Sequence, residues 1–167
     1  DGSLQSRRDS ETGTDTVTAK WEAIKQDERK ARGHASVLDD IPMQLPALSR
    51  AQKLQKRAAS LGFDWKEAAL VLRVIHEELD ELEREITEAD QKGQAEELGD
   101  LIFSCVNLAR KLGFDAEQCL RQSGSKFEKR FRQVELLADQ QGQPIGQASG
   151  EQLDLWWNLA KTKTTKD

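Results

Sequence analysis

No run of apolar residues in this sequence approaches the ~20 needed to cross a bilayer, and no signal peptide is visible in the polar stretch from Asp1. The chain begins without an initiator Met, so a processed or truncated chain, or a piece of a longer protein, is expected. Excess basic charge is also missing: the net charge is −5, which gives no field to recruit nucleic acid. Cysteine is scarce, and Cys105 and Cys119 lack C-x-x-C spacing, so both are expected to be buried free thiols in a cytoplasmic protein. His34 and His76 are the only histidines, and neither adjoins a cysteine, which argues against a cysteine nucleophile. There are three prolines and almost no alternating β-branched runs, which argues against sheet. No P-loop, no G-x-G-x-x-G behind a strand and no nucleophilic triad is present. What remains is 37 % apolar and 33 % charged residues, the balance of a helical protein with solvated faces.

The stretch from Glu77 to Asp100 organises the chain. Helical spacing puts Leu72, Ile75, Leu79, Leu82 and Ile86 on one expected core stripe. Beside it runs Val71, Val74, Glu78, Glu81 and Glu85, a line that begins apolar and turns acidic. In the next helix Leu98, Leu101, Cys105, Leu108 and Leu112 form the stripe, and Glu97, Asp100, Ser104 and Asn107 form its polar flank. Two helices with a short connection pack antiparallel, so the acidic lines can face one another. Like charges at that range repel and raise each other's pKa, and a divalent cation reverses the problem. Four carboxylates without His or Cys suit Mg²⁺, or Mn²⁺ as a substitute, rather than zinc. Glu78, Glu81, Glu97 and Asp100 are therefore the expected metal ligands, whereas Asp80, Glu83, Glu88 and Asp90 are expected to be solvated.

Residues 1–16 are expected to be a disordered linker or remnant, and residues 17–45 a linker helix and loop. That helix would run over about 17–32 on Trp21 and Ile24, with His34 at its end. The main domain spans 46–163, followed by a frayed tail over 164–167. Pro46 opens a helix that Gly62 stops. Asp64 and Glu67 make a capping box for the first acidic helix. Asp90 to Gly93 breaks that helix, and the second acidic helix starts near Gln94 and ends at Gly113. Asp115 opens a fourth long helix, weakened at Ser123-Gly124-Ser125, whose core face holds Phe127, Phe131, Val134 and Leu137 or Ala138. Ser149 with Gln152 starts the last helix. The fold class is all-α, an antiparallel four-helix-type bundle core with additional N- and C-terminal helices.

A carboxylate metal site suits phosphoryl substrates, provided cations complete the charge balance. Lys126 and Arg130, four apart on one helix, offer a point charge and a bidentate fork. Lys53, Lys56 and Arg57 share a face that is either solvated or phosphate-contacting. Trp65 and Trp157 offer faces for stacking on a base, although packing is the plainer role for Trp65.

Glu77-Glu78-x-x-Glu81, then Glu97-x-x-Asp100, resembles the signature of the all-α nucleoside triphosphate pyrophosphohydrolases of the MazG family. The stretches KWEAIK, LDDIP, LPALSRAQKLQKRAASLGFDW, EELGDLIFSCVNLAR and KFEKRFRQVE extend the resemblance across residues 19–163, to the C-terminal half of MazG. It implies Mg²⁺-dependent hydrolysis of a nucleoside triphosphate to monophosphate and pyrophosphate, broad in base, with water attacking between the α and β phosphates. It also implies a homodimer or higher homo-oligomer; the charge and the lack of long apolar runs leave neither membrane nor nucleic acid as an expected partner. Glu78, Glu81, Glu97 and Asp100 match the family's metal ligands, and Glu77 its first motif glutamate, in a supporting or base-like role. Lys126, Arg130, Trp157 and Lys161 match its nucleotide-contacting residues. A departure falls at Gly93, where the family pattern has a lysine; Lys92 is the neighbouring substitute. Two other classes stand beside this reading. One is a catalytically inactive MazG-like module for dimerisation, disfavoured by the complete carboxylate set. The other is a di-metal oxidoreductase, which wants the Glu-x-x-His ligation this chain lacks.

Overall fold

The structure, a computed structural model, describes residues 35–164. The expected segment 1–16, the helix over 17–32 with Trp21 and Ile24, His34 and residues 165–167 of the tail lie outside the described residues. The protein is all-α, and the described residues contain no strand. The helices are α1 (Ala47–Ala59), α2 (Ala68–Glu88), α3 (Gln91–Lys111), α4 (Ala116–Gln140) and α5 (Gly150–Thr164), with a 3₁₀ turn at Ile145–Gln147. They fall into two compact units, one reaching to Ala116 and the other starting at Glu117.

In the first unit Pro46 sits at the N-cap of α1, where its missing N–H costs nothing. Gly62 ends the turn after α1 at φ +87°, a left-handed conformation open to glycine. Its N–H donates to the Ala59 carbonyl and that of Phe63 to Ala58, satisfying the last free carbonyls. The capping box expected at Asp64 does not form: α2 starts at Ala68 with Glu67 as N-cap and no side-chain cap. Asp64 is taken instead by Arg110 and Lys111 of α3. A distant pair of cations outbids a local cap.

Only Ala89 and Asp90 separate α2 from α3, so the two helices run antiparallel. Ala89 makes the turn at φ 57°, and the Asp90 side chain caps α3 by accepting from the Lys92 N–H. The break expected over Asp90 to Gly93 is therefore shorter, and α3 begins three residues before Gln94 with Gly93 inside its first turn. That glycine has a packing reason, since a Cβ there would lie 2.8 Å from Glu85 Cδ. α1 docks on α3 through amides: Gln55 Nε2 donates to the Phe103 carbonyl at 2.8 Å. Gln52 donates to Phe114 O and accepts from Ala116 N–H.

The stripes sort differently from expectation. Val71 is buried, Glu78 and Glu85 are half-buried, and on α3 Asn107 is buried and Ser104 half-buried. Leu72, Leu79, Ile86, Leu98 and Leu112, expected as core, are each 43–59 % exposed. Helical period alone identifies an apolar face without saying what covers it. Cys105 lies on the same stripe, and both it and Cys119 are exposed free thiols, not buried ones.

The second unit is built on Val134, Ala138, Trp156 and Ala160, flanked by Leu137, Ile145, Ala148, Leu153 and Trp157. Ser149 caps α5 as its spacing predicts, its Oγ accepting from the Gln152 N–H. α4 continues through Ser123-Gly124-Ser125. Phe127 and Phe131, expected in the core, are exposed and stack on one another at 5.9 Å.

Candidate functional site

Along α2, Glu78 and Glu81 stand one turn apart, and the antiparallel return of α3 brings Glu97 to the same level. One carboxylate oxygen from each lies within 4.8 Å of the others. Asp100, one turn beyond Glu97, acts on Glu78 and Glu97 through its charge but is not in that converging trio. Glu77 is exposed and adds to the field on Glu78.

The electrostatics follow from placement. Partial loss of hydration raises the Glu78 pKa above its ordinary value, and the charges of Asp100, Glu81 and Glu77 push the same way. Lost hydration also raises that of Glu97, followed by the Glu81 charge, a hydrogen bond with Glu81, and the charges of Glu78 and Asp100. For Glu78 and Glu97 lost hydration and the neighbouring carboxylates thus act in the same direction. A donor set made only of carboxylate oxygens, under mutual repulsion, fits a hard divalent cation. By contrast Asp80, Glu83, Glu88 and Asp90 are exposed, as expected of a solvated face.

The basic residues sort by unit. In the first unit Arg57 is engaged by the loop before α1, pairing with Asp40 at 3.0 Å and donating to Val37 O. Lys53 and Lys56 on the same face are exposed. Lys92 is exposed and reaches Glu96 at 3.5 Å. In the second unit Lys126 is exposed, whereas Arg130 and Lys161 are half-buried and engaged. Trp157 lies against Phe127 with ring centroids 5.5 Å apart.

Several residues that shape this region escape a reading by motif. Asp64 holds Arg110, whose guanidinium also donates to Asn107 Oδ1 at 2.7 and 3.1 Å. Lys111 reaches Asp64 at 3.2 Å and the Trp65 carbonyl at 2.6 Å. Trp65 itself is 40 % exposed rather than packed away. Gln55 is buried on the face of α1 that also carries Ala51 and Ala58. Its polar side chain in an apolar register is the signal that was present.

Residues 66–135 match the family model described as the MazG nucleotide pyrophosphohydrolase domain. The chain is 46 % identical over 147 residues to a nucleoside triphosphate pyrophosphohydrolase of Escherichia coli K12, covering 87 % of this chain and 56 % of that one. It is 40 % identical over 142 residues to the Thermotoga maritima protein named nucleoside triphosphate pyrophosphohydrolase/pyrophosphatase MazG, covering 85 % and 54 %. A Bacillus subtilis protein, YabN, is 39 % identical over 146 residues, 30 % of its length. The chain thus spans about half the length of the first two relatives.

Proposed function

We propose, for a chain that belongs over residues 66–135 to the MazG nucleotide pyrophosphohydrolase family, that it hydrolyses nucleoside triphosphates to monophosphate and pyrophosphate with Mg²⁺. The convergence of Glu78, Glu81 and Glu97 within 4.8 Å carries this reading. These three, with Asp100, are the residues to hold a divalent cation. When bound, the cation supplies charge neutralisation for the triphosphate and a Lewis acid beside the attacking water. In the reaction, water oxygen bonds to the α-phosphorus as the bond from that phosphorus to the α–β bridging oxygen breaks, and pyrophosphate leaves. The water's proton passes to a carboxylate. Glu77, outside the converging trio yet adjacent to Glu78, is assigned that role or the steadying of Glu78. Lys126, Arg130, Trp157 and Lys161 are the proposed nucleotide contacts, and Lys53 and Lys56 remain exposed cations for a polyphosphate.

A homodimer belongs to the same proposal. Leu72, Leu79, Ile86, Leu98 and Ile102 are 43–59 % exposed along α2 and α3, apolar side chains that a second copy would cover. No helix among the described residues is long and apolar enough to cross a membrane. A cytoplasmic setting, where nucleotide pools are held, goes with the proposed substrate.

The test is product analysis of ribo- and deoxyribonucleoside triphosphates with Mg²⁺ and with EDTA. Equimolar monophosphate and pyrophosphate, lost in EDTA, is the expected result. Orthophosphate and diphosphate would mean that the wrong bond has been assigned.

A further inference from the structure

The side-chain line that carries Glu97 and Asp100 continues along α3 as Ser104 and Asn107, and these two leave the acidic cluster for a cavity. The cavity measures about 280 Å³ and lies between α1, α3 and the Phe63–Trp65 segment, all in the first unit. Phe63, Trp65 and Phe103 give it aromatic walls, and all three are at least 40 % exposed, an apolar rim open to a ligand. Its volume is near the ~300 Å³ lower end of ligand pockets, suited to a ring system rather than to a whole nucleotide.

Two buried amides interrupt the apolar wall, beside Ser104 and the paired Asp64 and Arg110. Gln55 is 7 % exposed; its Nε2 is committed to Phe103 O, and its Oε1 is buried with no partner. An orphaned buried acceptor is costly, and it is satisfied by whatever brings a donor. Asn107 is 4 % exposed, and Arg110 occupies its Oδ1 twice, so its remaining polar group is the Nδ2 donor. The cavity thus pairs one amide acceptor with one amide donor between aromatic faces. From Asp100 to Asn107 the helix rises ~10 Å, about the span of a nucleoside from base to 5′ phosphorus.

We infer that this cavity takes the base of the triphosphate, and that Gln55 is a specificity-determining residue whose Oε1 requires an N–H donor on the base edge. The inference rests on the proposed reading of the acidic cluster as the triphosphate site. It also gives broad base tolerance a physical cause. Adenine, cytosine, guanine, uracil and thymine all carry at least one N–H on the base, so a single acceptor admits every one. Discrimination falls instead on bases stripped of donors.

The experiment compares kcat/KM for ATP with that for purine riboside triphosphate, and CTP with pyrimidin-2-one riboside triphosphate. Each pair differs by one exocyclic amine and adds no bulk. Wild-type protein should prefer the amine-bearing substrate by ~10-fold or more, since a buried polar site rejects an analogue that leaves it unpaired. Gln55→Met should bring both ratios close to one, whatever its absolute rate. Gln55→Glu, which keeps an acceptor, should retain the preference. Equal wild-type rates within each pair, with natural nucleotides turned over normally, would overturn the role of Gln55 and leave the proposed activity standing. A preference that survives in Gln55→Met would do the same. Absence of turnover with every triphosphate would instead strike the activity itself, and the base assignment with it. If Gln55→Met fails to fold, the wild-type ratios and Gln55→Glu decide.

Discussion

At the scale of single residues, two charge clusters of the first unit behave in opposite ways. The acidic trio is a liability without a cation, because lost hydration and neighbouring charges both raise the pKa of Glu78 and Glu97 from its ordinary value. Glu78→Gln should therefore raise the Tm of the EDTA-treated protein, abolish the further rise on adding Mg²⁺, and cut pyrophosphate release by ~10²-fold or more. A variant with wild-type turnover would remove Glu78 from the ligand set. Asp64 is the converse case: burial works against its ionisation, but hydrogen bonds from Arg110 and Lys111 outweigh it and hold the pKa below 3.8. A lowered folded-state pKa contributes stability above the unfolded value, lost as pH falls through the folded one. Asp64→Asn should cost about 1–2 kcal/mol at pH 7, and the gap to wild type should narrow as the pH falls from the ordinary Asp value through the lowered one. Denaturant melts at a series of pH values measure that gap.

At the scale of elements, the turn between α2 and α3 sets the register that aligns the carboxylates, and Ala89 is its strained member. It holds φ 57°, a left-handed conformation that costs an L-residue about 1 kcal/mol. Ala89→Gly should accordingly stabilise the protein by about 0.5–1 kcal/mol without touching the site, as chemical denaturation would show. Helix propensity gives the same sign in α4, where a Cβ at Gly124 meets nothing within 4 Å. Gly124→Ala should add about 0.5–1 kcal/mol. Gly93 breaks the pattern: added bulk meets the Glu85 side chain, so Gly93→Ala gains less than Gly124→Ala or is destabilising. The lysine expected here from the family pattern would require the flexible Glu85 side chain to turn aside.

At the scale of the whole molecule, the proposed homodimer rests on the outward leucine stripe. Leu79 and Ile86 are 43 % and 59 % exposed on the face of α2 adjoining the acidic line. Leu79→Glu with Ile86→Glu should lower the solution mass to that of one chain in analytical ultracentrifugation while the far-ultraviolet circular dichroism keeps its helical shape. An unchanged mass would mean that the stripe is not the contact.

The sequence by itself determined the all-α class, five helices to within a few residues, the caps at Ser149 and Gly62, and the acidic line from which the site is built. Those features are local: a 3.6-residue period, a hydroxyl three residues from an N–H, and a glycine where φ turns positive. Only the tertiary structure decided which apolar stripe is covered within one chain. It also drew Asp64 away from its cap, seated Gly93 against Glu85, and buried Gln55 with an acceptor to spare. Each of those depends on residues that packing brings together from different elements. A period along one helix carries no information about what lies opposite.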